Sequence, residues 1–320
     1  MKKALKRTGL RALRSAGLFS LASRMRRRDT LAILCYHGIS LHDEHLWEGG
    51  LYITADAFRH RLQLLRQLNA NVLPLTEALA RLNAGTLPPR SVVLTFDDGF
   101  HDFYRHALPA LRDFGFPCTL YLTTYYCDRR LPIFNLIVSY MLWKGGPPHT
   151  ATGENRVREA LRLVQQADHE NWDVHAKNEF ARSLAQSFGL DYEQLERSRL
   201  FQIMSPDEVA EAARGGIDIQ LHTHRHRTPH DRELFLREIR DNARRIQELT
   251  GRAPAHFCYP SGVTAPAFFP WLREARVESA TTCVPGLASA SSDPLLLPRF
   301  LDGAGVEDLD FESWLSGFRT

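Results

Sequence analysis

The chain has 320 residues, of which 44% are hydrophobic and 24% charged, and a formal net charge of +3. That balance fits a globular protein with a sizeable core, long for one average domain and ordinary for one α/β barrel. No apolar run reaches the roughly 18 residues of a membrane-spanning helix.

The charge is unevenly placed. Residues 1–28 carry ten Lys or Arg and no acid, which leaves 30 basic against 37 acidic residues in the rest. An acidic body argues against nucleic acid as a partner. The N-terminal segment also sets Leu10, Leu13, Gly17, Leu18 and Leu21 at helical spacing. A basic amphipathic helix of this kind suits peripheral contact with an anionic membrane surface. A plain solvated helix and a cleaved targeting segment are the competing readings, the second weakened by a short apolar core at 16–22 interrupted by Ser20.

From residue 29 onward the chain alternates between strand and helix patterns. Candidate strands are 31–36, 71–75, 91–96, 117–123, 217–222, 256–259, 280–284 and 295–300. Candidate helices are 55–68, 102–114, 206–214, 231–249 and 266–275, with Thr54 and Ser205 as N-caps. Repeated alternation predicts a parallel sheet closed into a distorted or incomplete (β/α)7-8 barrel. Residues 125–204 break the rhythm. They hold the uncharged run "LPIFNLIVSYMLW" and then charged helical sequence. They read as a helical insertion that either shapes a substrate cleft or buries its own apolar face as an accessory layer. The expected division is a basic segment 1–28 and a single domain 29–320 bearing this insertion. Five cysteines (35, 118, 127, 258, 283) form no CxxC pair. Their odd number favours buried free thiols in a reducing, cytoplasmic setting, with the basic segment at the inner face of the membrane.

Four strand ends carry polar clusters. "VVLTFDDGFHD" (92–102) ends a buried strand in two carboxylates, Asp97 and Asp98, followed by Gly99. Taken alone this could be a helix-capping turn. "IDIQLHTHRHRTPH" (217–230) places His222 and His226 four apart, with His224 between them and His230 nearby, so four of the chain's 14 histidines fall within nine residues. Two histidines and a carboxylate would give three ligands and an open position, the layout of a catalytic metal. "AILCYHGIS" puts His37 after the first strand, and "HFCYPSG" ends another in a turn. In a barrel, strand C-termini meet on one face.

Together these segments resemble a polysaccharide deacetylase of carbohydrate esterase family 4, with its NodB homology domain. "TFDDG" (95–99) matches the first motif, "HTHRH" (222–226) the second, and "FCYPSG" (257–262) resembles the third. "YHGI" resembles the branch that includes the poly-N-acetylglucosamine deacetylases. The resemblance covers roughly residues 30–300. It implies Asp97 as catalytic base and Asp98, His222 and His226 as ligands of a divalent metal, zinc first and cobalt or nickel as substitutes. It further implies that Thr223 steadies the second motif, that the Tyr259 backbone N–H holds the oxyanion, and that His37 is the general acid.

The chain departs from the family pattern at the third motif, where Cys258 occupies the place of an arginine that orients the base. Arg299 in "LLPRF" is the candidate substitute. No fourth motif of D-x-x-D-W type is evident, and "DLDFESW" reads as a capped terminal helix. The implied reaction is hydrolysis of N-acetyl groups on amino sugars of a polysaccharide or lipid-linked saccharide. The alternatives are an O-acetyl carbohydrate esterase and a catalytically inactive carbohydrate-binding protein.

Overall fold

The computed structural model describes residues 19, 29–148, 153–170 and 172–318. The basic segment 1–28 lies outside them except for Phe19, which is buried with its ring 5.5 Å from that of Phe318.

In chain order, β1 (Thr30–Tyr36) is followed by β2 (Gly38–Ile39), the single-turn α1 (Glu44–Trp47) and β3 (Tyr52–Ile53). Then come α2 (Ala55–Gln67), β4 (Asn71–Val72), α3 (Leu75–Asn83) and β5 (Ser91–Phe96). A π-helical turn, Phe103–Ala107, runs into α4 (Leu108–Phe114) and then β6 (Thr119–Leu122). Helices α5 (Phe134–Gly145), α6 (Gly153–His169), α7 (Val174–Ser187) and α8 (Tyr192–Arg197) precede α9 (Pro206–Arg214) and β7 (Asp218–Leu221). The chain ends with α10 (Arg232–Thr250), β8 (His256–Cys258), α11 (Phe268–Glu274), β9 (Ser279–Thr281), β10 (Ala288–Ser289), β11 (Phe300–Leu301) and α12 (Asp308–Ser316).

The sheet runs β10-β1-β5-β6-β7-β8-β9, parallel except for β10. It curls until one late segment spans the gap between its ends. Leu297 bridges in parallel to Thr281 of β9, and β11 then pairs in parallel with Leu34 and Cys35 of β1. The result is the distorted barrel expected from the alternation.

Residue types explain the curl. β1 is apolar from Leu31 to Tyr36 because both of its faces are covered there. Ala32, Leu34 and Tyr36 join Val92, Leu94 and Phe96 in the layer beneath the outer helices. Leu31 and Ile33 join Val93, Tyr121, Cys258 and Leu297 inside the barrel, with Leu75, Ala78 and Leu82 of α3. Side chains alternate between the faces of a strand, so Cys35 and His37 continue the inward face of β1, and Thr95 and Asp97 that of β5. The 35↔95 pairing sets these residues side by side.

Several boundaries differ from the sequence expectation. The strand expected at 71–75 stops at Val72, because Pro74 fixes an extended backbone and Leu75 opens α3. The strand expected at 280–284 is Ser279–Thr281, after which Cys283 and Val284 are exposed. Cys283 is thus an exception to the expectation of buried thiols; Cys35, Cys118, Cys127 and Cys258 are buried and free. The Thr54 and Ser205 caps form as expected, Ser205 in a reciprocal capping box with Glu208. Helix α12 forms over "DLDFESW", but its N-cap residue Glu307 makes no side-chain cap.

Helices α5–α8 occupy the insertion. Ile137, Val138, Tyr140 and Met141 of the apolar run are buried in a cluster with Ala160, Leu163, Ala181 and Ala185. Trp47, Tyr52 and Phe201 also belong to that cluster. The run therefore buries its apolar face in an accessory layer, the second of the two expected readings. The layer is tied to the two ends of α1: Lys144 donates to Asp43 at 2.6 Å and Arg156 to Glu48 at 2.6 Å. Among the described residues no helix is long and apolar enough to cross a membrane.

Candidate active site

The four polar clusters meet at the C-terminal ends of the strands. Asp97 follows β5 and is 2% exposed. Its backbone N–H donates to Tyr36 O at 2.9 Å, which extends the β1–β5 ladder by one bond. The turn that follows is demanding. Asp98 has φ 68° and Gly99 φ 88°, and a Cβ on Gly99 would stand 2.3 Å from Leu122 Cδ1. Aspartate tolerates the left-handed region better than most residues, and only glycine fits after it. This turn points Asp97 into the barrel and Asp98 toward the histidines.

Asp98 Oδ1 lies 3.2 Å from His222 Nε2 and 3.2 Å from His226 Nε2. His222 Nδ1 is 2.9 Å from Cys258 O, a carbonyl that can only accept, so Nδ1 is the donor there and Nε2 is the nitrogen turned toward Asp98. The backbone N–H of His222 donates to Asn242 Oδ1 at 2.9 Å, and Asn242 Nδ2 donates to Leu122 O and Thr124 Oγ1. Asn242, buried on α10, thus fixes the strand end that bears the ligand. Its signal was hidden within a charged helix. Thr223 and His226 both have positive φ, 58° and 56°, and Thr223 Oγ1 accepts from Arg227 N at 3.0 Å. For a β-branched residue that backbone is strained, and the hydroxyl bond closes the loop carrying His226.

The donor set suits a divalent ion. Ligands about 2.0–2.1 Å from a tetrahedral ion stand about 3.3 Å apart. The histidine–carboxylate spacings match that edge, and the three donor atoms lie within 4.8 Å of one another. His224 points elsewhere, with Nδ1 2.9 Å from Thr124 Oγ1, and His230 packs near Phe268.

Arg299 comes from the segment that closes the barrel, and it is 1% exposed. Its Nη1 donates to Asp97 Oδ1 and its Nη2 to Asp97 Oδ2, both at 2.7 Å. Nε donates to Thr282 O at 2.9 Å and Nη1 also reaches Thr95 Oγ1 at 3.2 Å. Cys258 Sγ is 3.1 Å from Arg299 Nη2 and 3.3 Å from Asp97 Oδ2. The small side chain at 258 leaves the space the guanidinium fills. Burial alone would raise the Asp97 carboxyl, but the charge and hydrogen bonds of Arg299 override it and hold that group well below the usual carboxylate range. His37 Nε2 stands 3.6 Å from Asp97 Oδ2. Burial lowers the His37 imidazole, with Asp97 and Asp98 only partly offsetting it.

Tyr259 is engaged otherwise than the resemblance implies. Its backbone N–H donates to Thr281 O at 3.3 Å, and its hydroxyl donates to Leu295 O at 3.0 Å. The ladder between β8 and β9 uses the N–H that the oxyanion role requires.

The site thus sets a bidentate arginine on one aspartate beside two histidines on its neighbour, and comparison with known proteins decides the chain's family. The polysaccharide deacetylase family model matches residues 84–280. The chain belongs to the polysaccharide deacetylase family. A poly-β-1,6-N-acetyl-D-glucosamine N-deacetylase from Staphylococcus epidermidis is 33% identical over 72 residues, a match spanning 22% of this chain and 25% of that protein. The Streptococcus pyogenes deacetylase PplD shares the fold with a TM-score of 0.61 and 18% identity, over 89% of this chain and 98% of that one. IcaB from Ammonifex degensii does so at 0.59 and 19%, over 90% and 97%. The helical insertion and the late arginine are thus set in a deacetylase barrel.

Proposed function

We propose that this chain hydrolyses N-acetyl groups on the amino sugars of a polysaccharide or lipid-linked saccharide. The observation that carries the reading is the Arg299–Asp97 pair, adjacent in the chain to a carboxylate that faces His222 and His226. Asp98, His222 and His226 would hold a divalent ion, zinc by the nitrogen and oxygen character of the donors. When bound, such an ion polarises a carbonyl and makes water more acidic.

The chain's own groups do the rest. Asp97 accepts the proton of the attacking water, and Arg299 aims both carboxylate oxygens while it does so. An arginine-paired carboxylate is a weak base, which makes the added acidity of the water necessary rather than merely helpful. His37, whose Nε2 stands 3.6 Å from Asp97 Oδ2, takes over the proton that Asp97 has accepted and passes it to the departing amine nitrogen. With the Tyr259 N–H engaged, it has no part in this scheme.

The test is acetate release from N-acetylated glucosamine oligomers by the zinc-loaded chain, run beside O-acetylated saccharides. Acetate with matching free amine supports the reading. Acetate from the esters alone makes the protein an O-acetyl esterase. Binding without acetate from either makes it an inactive carbohydrate binder. Residues 1–28 are proposed to bring the enzyme to an anionic, cytoplasmic membrane face. Equal vesicle binding by a chain lacking them would refute that part.

A further inference from the structure

Cys35 plays no part in the scheme above, yet it lines the same chamber. It stands two residues before His37 on the inward face of β1, beside the inward face of β5 that carries Asp97. Its Sγ lies 3.5 Å from Asp97 Oδ2 and 4.0 Å from His37 Nδ1, while His37 Nε2 lies 3.6 Å from the same Oδ2. One donor atom from each of Cys35, His37 and Asp97 falls within 4.8 Å of the others. A tetrahedral ion bound by one sulfur, one nitrogen and one oxygen sets its ligands about 3.3–3.6 Å apart. The Cys35–Asp97 spacing is at that scale, while the two His37 distances belong to different ring nitrogens, so a turn of the imidazole brings a single nitrogen into the set. Cys258 lies on the same carboxylate oxygen but groups with Asp97 and His222 instead.

We infer that Cys35, His37 and Asp97 form a second divalent-ion site, selective for thiophilic ions such as zinc and cadmium, whose occupation shuts the enzyme off. The shut-off rests on the proposed roles of Asp97 and His37; the binding does not. An ion there takes the lone pairs of both residues. Binding converts the Cys35 thiol to a bound thiolate and releases one proton, so the site gains one net positive charge. Asp97 already serves Arg299, and that guanidinium opposes a cation. The site is therefore weaker than the one at Asp98, His222 and His226, and fills second. Magnesium and calcium, which prefer all-oxygen shells, do not compete for a thiol–imidazole pair.

The experiment strips the full chain with a chelator and titrates it with cadmium in a phosphine reductant. The ultraviolet band of cadmium–thiolate bonding is followed together with bound-metal stoichiometry. The first equivalent should add no thiolate band, because the stronger site has no sulfur donor, and the second should produce it. The band should disappear in Cys35→Ser and persist in Cys283→Ser, which removes the exposed thiol. In His37→Ala the half-saturation concentration should rise at least tenfold, and this variant decides the matter if Cys35→Ser does not fold. In His226→Ala the first, silent equivalent should be lost and the band kept, which separates this site from the catalytic one. Absence of a thiolate band through several equivalents of cadmium overturns the inference. So does a band that survives Cys35→Ser or an unshifted titration in His37→Ala.

Discussion

Arg299 grips Asp97 through two parallel hydrogen bonds of 2.7 Å, across 202 residues of chain. Both side chains are buried, so neither charge has water to fall back on. Removing one partner of such a pair costs about 3–5 kcal/mol, because the other is left uncompensated. Arg299→Met should lose about that much stability in a denaturant titration. Arg299→Lys keeps the charge and loses the fork. It should fold and bind metal, with kcat lower by roughly ten- to a hundredfold as the base loses its alignment. Wild-type kcat in Arg299→Lys would show that the fork does not position the base.

The two adjacent aspartates are expected to separate cleanly. Asp97→Asn should retain its metal on elemental analysis and lose about 10²–10⁴ in kcat, the usual contribution of a general base. Asp98→Ala should lose the metal itself. An Asp97→Asn variant without metal would mean that Asp97, not Asp98, anchors the ion.

Asn242 is expected to matter although it touches no ligand side chain. Its amide bonds the His222 backbone N–H, Leu122 O and Thr124 Oγ1. Asn242→Ala strands a buried N–H, at a cost of about 1–3 kcal/mol, and should weaken zinc affinity about 10–100-fold. Competition with a chromogenic chelator reads the second effect. Unchanged zinc affinity would assign Asn242 to stability alone.

Glu208 supplies a pH-dependent stability term remote from the metal ligands. Burial would raise its carboxyl, but close contact with His101 and hydrogen bonds from Arg199 and the Ser205 backbone bring it down to about 2 from the ordinary 4.5. A depressed carboxylate stabilises the fold above its unfolded pKa, and that stability is lost as the pH falls from about 4.5 toward about 2. Screening at this partly accessible site limits the effect to about 1 kcal/mol. Glu208→Gln should lower Tm at pH 7 and flatten its acid slope below about pH 4.5. A Tm curve parallel to wild type would remove the group from the acid transition.

What could be read from the sequence was local. The run 91–96 and the capped helix 206–214 have the observed bounds, since each is defined by its own apolar pattern and flanking residues. The aspartate and histidine motifs sit at strand ends, where alternation fixes the face. Arg299 could only be nominated, because it reaches Asp97 through a segment with almost no strand of its own. Cys35 was read only as a buried thiol because its contact with Asp97 spans 62 residues, and Asn242 escaped notice because its partners are long-range and it belongs to no motif. That the Tyr259 N–H meets Thr281 O depends on the register between β8 and β9, which a single strand does not reveal.

The central claim is most directly tested by measuring acetate release from an N-acetylglucosamine oligomer, using the full chain stripped by chelator and then given one equivalent of zinc. The account predicts no release from the stripped protein, release matched by free amine after zinc, and release slower by about 10²–10⁴ from zinc-loaded Asp97→Asn. Zinc bound at one equivalent with no acetate from any N-acetylated saccharide, or equal release with and without metal, would contradict it.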